Sequence, residues 1–168
     1  MLKKFDQALG LDVAGESVRF PFSSASIDAL VHATEDEKKV LAALKNLLPE
    51  GVEVRKTKLR GHYGNPIIVL HASIGQKKLV RELWQRILGK LRAGELDKLR
   101  KTVAKRIDPA CRLYLRFNKQ LAYGDEFALE DGSDVIHLKL KIAAYPAKQK
   151  VASKLVEEFL AGTPHEDF

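Results

Sequence analysis

Five stretches of this chain alternate apolar and polar residues with a period of two, and this alternation constrains its fold more than any other feature. The stretches begin near Ala25, Val52, Ile68, Leu113 and Ile136. Successive side chains of a strand point to opposite faces of its sheet, so each stretch is predicted to be a strand with one buried face. Such alternation is typical of an antiparallel sheet that packs on helices on one side and faces water on the other.

Three segments carry apolar residues at helical spacing. They cover 40–48, 79–91 and 151–160, and a shorter helix is predicted after Gly94. The predicted order is therefore β-α-β-β-α-β-β-α. This order favours a two-layer α+β fold, with a mostly antiparallel sheet and helices on one face.

The first predicted helix is preceded by a capping signal, Thr34-Glu35-Asp36-Glu37. We interpret it as a capping box in which Thr34 caps the helix and Glu37 reaches back to the backbone N–H of the cap. This interpretation explains the three acidic residues better than a metal or acid–base site does. Asp131-Gly132 is a hairpin signal before the last strand.

The domain organisation is simple. Residues 25–162 are predicted to form a single domain, since no repeat or linker divides them. Residues 1–24 are interpreted as an N-terminal extension and residues 163–168 as a frayed tail.

The positive charge is confined to the middle of the chain. The net charge is +7, but residues 51–120 carry eighteen Lys and Arg against five Asp and Glu, whereas both flanking stretches are acidic. A local excess of this kind can focus an electric field on a polyanion. The alternative interpretation is that these charges lie on solvated helix faces.

Several classes of protein are not expected. One cysteine, Cys111, excludes an internal disulfide and a multi-cysteine zinc site, and no two of the five histidines stand at the spacing of a helical metal pair. No apolar run is long enough to cross a bilayer, and no signal peptide is evident. No phosphate-binding loop or nucleophile elbow occurs. We therefore expect a cytoplasmic protein that is not an enzyme and has no cofactor, no metal and no membrane partner.

The polar sides of the fourth and fifth strands would share the open face of the sheet. They contribute cations around one aromatic ring. The alternative interpretation is that these residues are the ordinary polar side of an amphipathic sheet. This set, which suits phosphate contact and base stacking, consists of Arg112, Tyr114, Arg116, His137, Lys139 and Lys141.

Two further segments hold candidate contacts. In the predicted turn at residues 61–66, His62, Tyr63 and Asn65 exceed what a hairpin requires and can stack on or hydrogen-bond to an unpaired base, with Arg60 beside them. Lys119 and Gln120 end the fourth strand with groups that can meet phosphate or base edges. The alternatives are that Tyr63 closes one end of the core and that the second segment is an ordinary strand exit.

The region from His32 to about Leu160 resembles an archaeal family of RNA-binding proteins and predicted exosome subunits. The resemblance rests on blocks that occur in the same order: His32-Ala33-Thr34-Glu35-Asp36, Asn46-Leu47-Leu48-Pro49, Gly61-His62-Tyr63-Gly64-Asn65-Pro66-Ile67, Arg106-Ile107-Asp108, Leu113-Tyr114-Leu115-Arg116-Phe117-Asn118-Lys119-Gln120 and Ala144-Tyr145-Pro146. It implies a fold similar to that of ribosomal protein L-five and RNA binding, with no catalytic residue. Two departures are Pro109-Ala110-Cys111, where the family has a polar, turn-like pair, and Asn118, where an acidic residue is usual.

Together these observations favour an RNA-binding accessory protein of RNA processing or ribosome-related metabolism, whose expected partners are RNA and an RNA-processing complex. One alternative is a non-catalytic protein–protein adaptor or homodimer. Another is a small hydrolase or nuclease that uses the His62 region, although no base–nucleophile pair or metal set supports it.

Overall fold

The computed structural model describes residues 19–163 and contains one five-stranded sheet in which every pair of neighbours is antiparallel. The strands are β1 Phe22–Val31, β2 Arg55–Arg60, β3 Pro66–Ile74, β4 Arg112–Asn118 and β5 Val135–Ile142. Their order across the sheet is β2-β3-β1-β5-β4. The α+β class, the five strands and the β2–β3 hairpin are confirmed.

Helices cover one face of this sheet. They are α1 Glu37–Leu47, α2 Lys77–Lys90, α3 Glu95–Thr102, α4 Lys119–Tyr123 and α5 Gln149–Ala161, and a 3-10 turn spans Val103–Arg106. The short α3 lies where the apolar spacing predicts it. The five-residue α4 is an addition to the predicted order, because its segment reads as a strand exit.

The core joins the central strand to the helix layer. Phe22 of β1 packs on Trp84 of α2 with ring centroids 5.1 Å apart, and Trp84 packs on Phe159 of α5 at 6.0 Å. All three side chains are fully buried. In β1 the alternate residues Ala25, Ile27, Ala29 and Val31 are buried too, as their period of two predicts. The opposite face of β1 consequently carries Ser26, Asp28 and the partly exposed Leu30.

The start of α1 differs from the predicted capping box. The helix begins at Glu37, and Asp36 is its N-cap, with a side chain that accepts a hydrogen bond from the Lys38 N–H at 2.9 Å. Thr34 lies before the helix, and the Glu35 carboxylate accepts from the His32 N–H at 2.9 Å. Glu37 forms an ion pair with Lys56 of β2. The three acids therefore have three separate partners.

Asp131-Gly132 is not the turn of a β4–β5 hairpin. Residues 128–130 run along the outer edge of β4, where Asn118 N–H donates to Ala128 O and Glu130 N–H donates to Arg116 O, both at 3.0 Å. Since β5 lies on the other side of β4, residues 131–134 must cross this strand to reach it. They cross on the open face, where Arg116 donates to the carbonyl oxygen of Asp131 at 3.5 Å.

Two other sequence-based expectations concern the start of β1 and the ends of the domain. Strand β1 begins at Phe22, three residues before the predicted start, and most of the predicted extension and tail lie outside the described residues.

Within the described part of the chain, no helix has the length and apolar character needed to span a membrane.

Ile27 tests the dependence of the fold on its central strand. It is fully buried and pairs with both Ala72 of β3 and Leu138 of β5. Ile27→Ala is expected to lower the free energy of unfolding by about 2–5 kcal/mol, since it opens a cavity between sheet and helices. Urea denaturation measures the change. Leu59→Ala, at a residue 51% exposed, is the control and should change it by less than about 0.5 kcal/mol.

Candidate nucleic-acid interface

The open face of the sheet carries a row of polar side chains, two of them histidines, that crosses all five strands. The strand registers place Arg55 opposite His71, His71 opposite Asp28, Asp28 opposite His137, and His137 opposite Arg116. His71 is hydrogen-bonded to Asp28 through Nδ1 and to the Ser73 hydroxyl through Nε2 at 2.9 Å. Both ring nitrogens of His71 therefore have partners within the sheet.

Cations concentrate at the β4–β5 end of this face. Lys139 lies opposite Tyr114, and Lys141 lies opposite Arg112. The six residues predicted from alternation thus lie side by side, and we call them the β4–β5 cluster: Arg112, Tyr114, Arg116, His137, Lys139 and Lys141. The Tyr114 side chain is 39% exposed among them.

Asp108 holds one end of the β4–β5 cluster in place. Its carboxylate accepts hydrogen bonds from the Arg112 backbone N–H at 2.9 Å, from the Arg112 guanidinium at 3.0 Å and from the Tyr114 hydroxyl at 2.9 Å. Burial alone would raise the pKa of Asp108, but these hydrogen bonds outweigh it and the pKa lies below its ordinary value. Burial and the bond to Asp108 raise the pKa of Tyr114. The Tyr114 ring is therefore fixed in orientation.

Other cations of the β4–β5 cluster have no acidic partner. Among residues 19–163, no carboxylate oxygen lies within 4.0 Å of Arg116, Lys139 or Lys141. Lys141 donates to the carbonyl oxygen of Ala110 at 2.8 Å, which leaves its charge uncompensated. Burial, and next the charge of Arg116, lower the pKa of His137, so this side chain is neutral at pH 7.

A cleft of about 600 Å³ opens beside the β4–β5 cluster, between β4 and the 3-10 turn. Tyr114, Arg116, Lys105 and Arg106 line it together with Asp108 and Asp131. Sequence reasoning missed Lys105 and Arg106. The only available signal was a run of cations from Lys98 to Arg106, and the run itself does not show which of them turns toward the sheet.

The candidate residues in the turn at 61–66 lie far from the β4–β5 cluster. Tyr63 stands at the tip of the β2–β3 hairpin and is 88% exposed, so it does not close the core. His62 packs edge-on against it with ring centroids 5.1 Å apart. Gly61 N–H donates to the Asn65 carbonyl oxygen at 2.7 Å, which closes the turn. We call the exposed residues Arg60, His62, Tyr63 and Asn65 the hairpin tip. Four strand spacings, about 19 Å, separate β2 from β4.

Lys119 is an interior residue. Its side chain is 7% exposed, and its ammonium group donates to the Leu30 carbonyl oxygen at 2.6 Å, to Asp134 at 2.7 Å and to Glu35 at 3.2 Å. It thereby ties β4 to the end of β1, to the loop before α1 and to the loop before β5. Its charge is used within the protein, whereas the neighbouring Gln120 is exposed.

Carboxylates from the flanking stretches neutralise part of the central charge. Of the eighteen central cations, five form ion pairs with acids from outside residues 51–120. These pairs are Lys56–Glu37, Lys90–Asp125, Arg92–Glu126, Arg106–Asp131, and Lys119 with Glu35 and Asp134. Arg116 of β4 and Lys139 and Lys141 of β5 have no such ion pair among residues 19–163, and Arg112 pairs with Asp108 of the central stretch itself.

One group of metal-ligating side chains exists within residues 19–163. Ligand atoms of His32, Glu35 and Asp134 lie within 4.8 Å of one another. The Lys119 ammonium is already bound to both of these carboxylates, so a positive charge occupies the position that a metal ion would take. Cys111 is buried and free.

Replacement of Lys119 tests its structural role. Lys119→Met leaves the Leu30 carbonyl oxygen, Glu35 and Asp134 without their shared donor, and should lower the free energy of unfolding by about 1–3 kcal/mol. Urea denaturation measures it, and Gln120→Met at the exposed neighbour is the control. An unchanged stability would contradict the structural role.

The same variant should be less sensitive to acid. The hydrogen bond from Lys119 holds the pKa of Asp134 below its ordinary value of 3.8. The ionised carboxylate therefore stabilises the fold above that pH, and this contribution disappears as the pH falls through the native pKa. Lys119→Met should lose less stability than the wild type between pH 5 and pH 2, measured by denaturation at each pH.

The chain is similar to known proteins over most of its length. A family model described as RNA binding matches residues 24–142, which end with the last residue of β5. The chain is 36% identical over 141 residues to the RNA-binding protein PAB1135 of Pyrococcus abyssi, across 81% of this chain and 92% of that protein. It is 32% identical over 146 residues to the uncharacterized protein MJ0213 of Methanocaldococcus jannaschii, across 83% and 95%.

The fold has a counterpart of known structure. Mth689, a DUF54 protein from Methanothermobacter thermautotrophicus, superposes with a TM-score of 0.70 at 34% identity. The similarity covers 83% of this chain and 98% of that one. The family match at residues 24–142 includes both the β4–β5 cluster and the hairpin tip.

Proposed function

This chain belongs to the RNA-binding family, and we propose that it binds unpaired RNA across the β4–β5 cluster and the adjoining cleft. One observation carries the proposal: Arg116, Lys139 and Lys141 share the open face with an exposed aromatic ring and have no acidic partner among residues 19–163. Uncompensated cations are available to phosphates, while the ring of Tyr114 is available to a base.

The shape of the surface favours a single strand over a duplex. A sheet face that carries an aromatic ring between cations lets the bases of an unpaired strand stack while its phosphates contact the side chains around the ring. Asp108 fixes the Tyr114 hydroxyl, so little side-chain entropy is lost when a base stacks on the ring. Lys105, in the wall of the cleft, extends the positive charge beyond the sheet.

The hairpin tip supplies a second contact in this proposal. Tyr63 and His62 offer exposed rings, and Arg60 and Asn65 offer a charge and an amide. The tip lies at the opposite edge of the sheet from β4, so one strand of RNA that met both would cross the whole open face. This arrangement favours an extended RNA ligand.

We propose further that the protein acts as a non-catalytic accessory factor of RNA processing. The resemblance to predicted exosome subunits supports this role. Uncleaved RNA after long incubation with the protein and a divalent metal is the expected result. Cleavage that depends on His62 would contradict it and favour the hydrolase alternative.

Removal of two cluster charges should change both affinity and salt dependence. For single strands, log K falls by about 0.7 per phosphate contact for each tenfold rise in salt. The double variant Arg116→Ala/Lys139→Ala should weaken binding at low salt and reduce this slope by about 1.4, measured by fluorescence anisotropy with a labelled unstructured RNA.

The matched control removes two exposed lysines from the helix layer, Lys78→Ala/Lys154→Ala. This control changes the net charge by the same amount and should leave the salt slope unchanged within experimental error. Equal effects of the two double variants would show that only overall charge matters, and would contradict a localised interface.

The hairpin tip is tested separately. Tyr63→Ala should weaken binding of a long unpaired RNA by about 1–3 kcal/mol, the value of one stacked base. Because Tyr63 is 88% exposed, the free energy of unfolding should not change. A short RNA that covers the β4–β5 cluster alone should bind the variant and the wild type equally, whereas a loss with both RNAs would argue against a second contact.

The homodimer or adaptor alternative also has a specific observation in its favour. Strand β2 is an open edge with every residue exposed, and Leu59, 51% exposed, lies in it. Another strand can pair with an edge of this kind. Light scattering distinguishes the two functions: a stable dimer that is indifferent to RNA would support the alternative.

A further inference from the structure

We propose that the cleft between α1 and α4 is a nucleobase pocket that selects bases with an exocyclic amino group. The proposal rests on the proposed function, since it assigns a second part of the same RNA ligand to a specific place. The cleft has a volume of about 360 Å³ and is lined by Glu35, Asp36, Lys39, Val40, Lys119, Gln120, Tyr123 and Asp134.

The pocket has the apolar surface that a base requires. The ring of Tyr123 is 51% exposed on one wall, and Val40 lies in the lining. The ammonium of Lys39 stands 6.0 Å from the centroid of the Tyr123 ring. Because this ammonium lies over the ring, a base that stacks on the same face displaces it, and the flexible Lys39 side chain can then meet the phosphate that follows the base.

The elements that carry the wall are fixed in place. The Asn46 side chain of α1 donates to the carbonyl oxygens of Ala122 at 2.8 Å and Tyr123 at 3.3 Å, which attaches α4 to α1. The Asn118 side chain caps α4 by accepting from the Leu121 N–H at 2.9 Å. The backbone of Tyr123 is thus positioned before any ligand arrives.

Three of the six charged or amide side chains that line the pocket are carboxylates, and the others are Lys39, the interior Lys119 and Gln120. Glu35 and Asp134 share Lys119, but a carboxylate has about four lone-pair sites and the ammonium group occupies only some of them. Asp36 is engaged as the cap of α1, and Asp134 is 61% exposed. The pKa of Asp134 is lowered, chiefly by the hydrogen bond from Lys119, so this acceptor is ionised at neutral pH.

An acceptor-lined pocket distinguishes cytosine from uracil. Cytosine presents an N4 amino donor where uracil presents the O4 acceptor, and acidic side chains accept from the cytosine amino group. Uracil would set a carbonyl oxygen against a carboxylate. Adenine and guanine also carry amino groups, so the pocket should accept them as well.

The pocket adjoins the proposed phosphate-binding surface. Asp131 lines the cleft beside the β4–β5 cluster and Asp134 lines the pocket, so the crossing loop 131–134 separates the two. Three residues span at most about 10 Å. Stacked nucleotides rise about 3.4 Å each, so one strand can reach both places within about three nucleotides.

The experiment compares labelled decamers of cytidine and uridine by anisotropy with the full-length protein. The bases of these RNAs differ at their hydrogen-bonding edge, where cytosine has the N4 amino group and uracil has O4. The wild type should bind the cytidine decamer about tenfold more tightly, which corresponds to the low end of the discrimination expected from one base contact. Tyr123→Ala should abolish this preference and leave the salt slope unchanged, and Tyr123→Phe should retain the preference.

Asp134→Asn tests the acceptor directly, because an amide can donate to uracil O4 as well as accept. It should reduce the preference at least threefold. Tyr145→Ala, at a residue 96% exposed outside the pocket, is the control and should keep the preference. Urea denaturation establishes that each variant is folded at the temperature of the titration.

The possible failures are distinguishable. If neither decamer binds at low salt, the proposed RNA-binding function itself fails. If both bind equally with a steep salt dependence, or if Tyr123→Ala keeps the preference, the β4–β5 interface stands and the base pocket is overturned.

Discussion

The pairing of β1 with β5 is the interaction on which the rest of the structure depends. It joins Phe22–Val31 to Val135–Ile142, which are more than 100 residues apart in the chain, and it places both strands in the interior of the sheet. With the register fixed, the apolar residues of both strands face the helices. Each polar residue must then lie on the open face, so Lys139 and Lys141 come to lie beside Arg112 and Tyr114. The proposed binding surface is a consequence of how the core is built.

Charge counted along the sequence overstates the charge that a ligand meets. The excess of thirteen positive charges in the central stretch is reduced on folding, because acidic residues from both ends approach it. Glu35 and Asp134 come from opposite flanks and meet on Lys119. Of this stretch, Arg112 and Arg116 lie on the β4–β5 face, and Lys139 and Lys141 join them there from residues 121–168. The importance of this smaller set lies in its position: like charges held on one rigid face attract phosphates together, while the same charges scattered over helices would not.

The alternation of β4 and β5 was sufficient to predict which side chains share the open face, since the period of a strand determines that directly. The capping residue of α1 was harder to predict, because Thr34 and Asp36 both suit an N-cap. The choice between them depends on where Glu35 and Glu37 find partners. Those partners, Lys119 and Lys56, are distant in the sequence. The path of residues 131–134 across β4 was not predictable from the sequence either, because Asp131-Gly132 also suits a tight turn. A crossing loop is required only because residues 128–130 pair with the outer edge of β4, and this pairing is not visible in the sequence.

The segment Asn118-Lys119-Gln120 shows why a motif can mark a site without touching the ligand. Asn118 caps α4 through its side-chain oxygen, and an aspartate in its place could cap the helix in the same way. Lys119 connects the end of β1 to the loops before α1 and β5, which carry Glu35 and Asp134, while Gln120 is exposed. A buried ammonium with oxygen partners on three residues holds these segments more firmly than an exposed lysine could. The motif therefore determines the structure around the cleft, and the proposed selectivity depends on two residues that this structure positions, Tyr123 and Asp134.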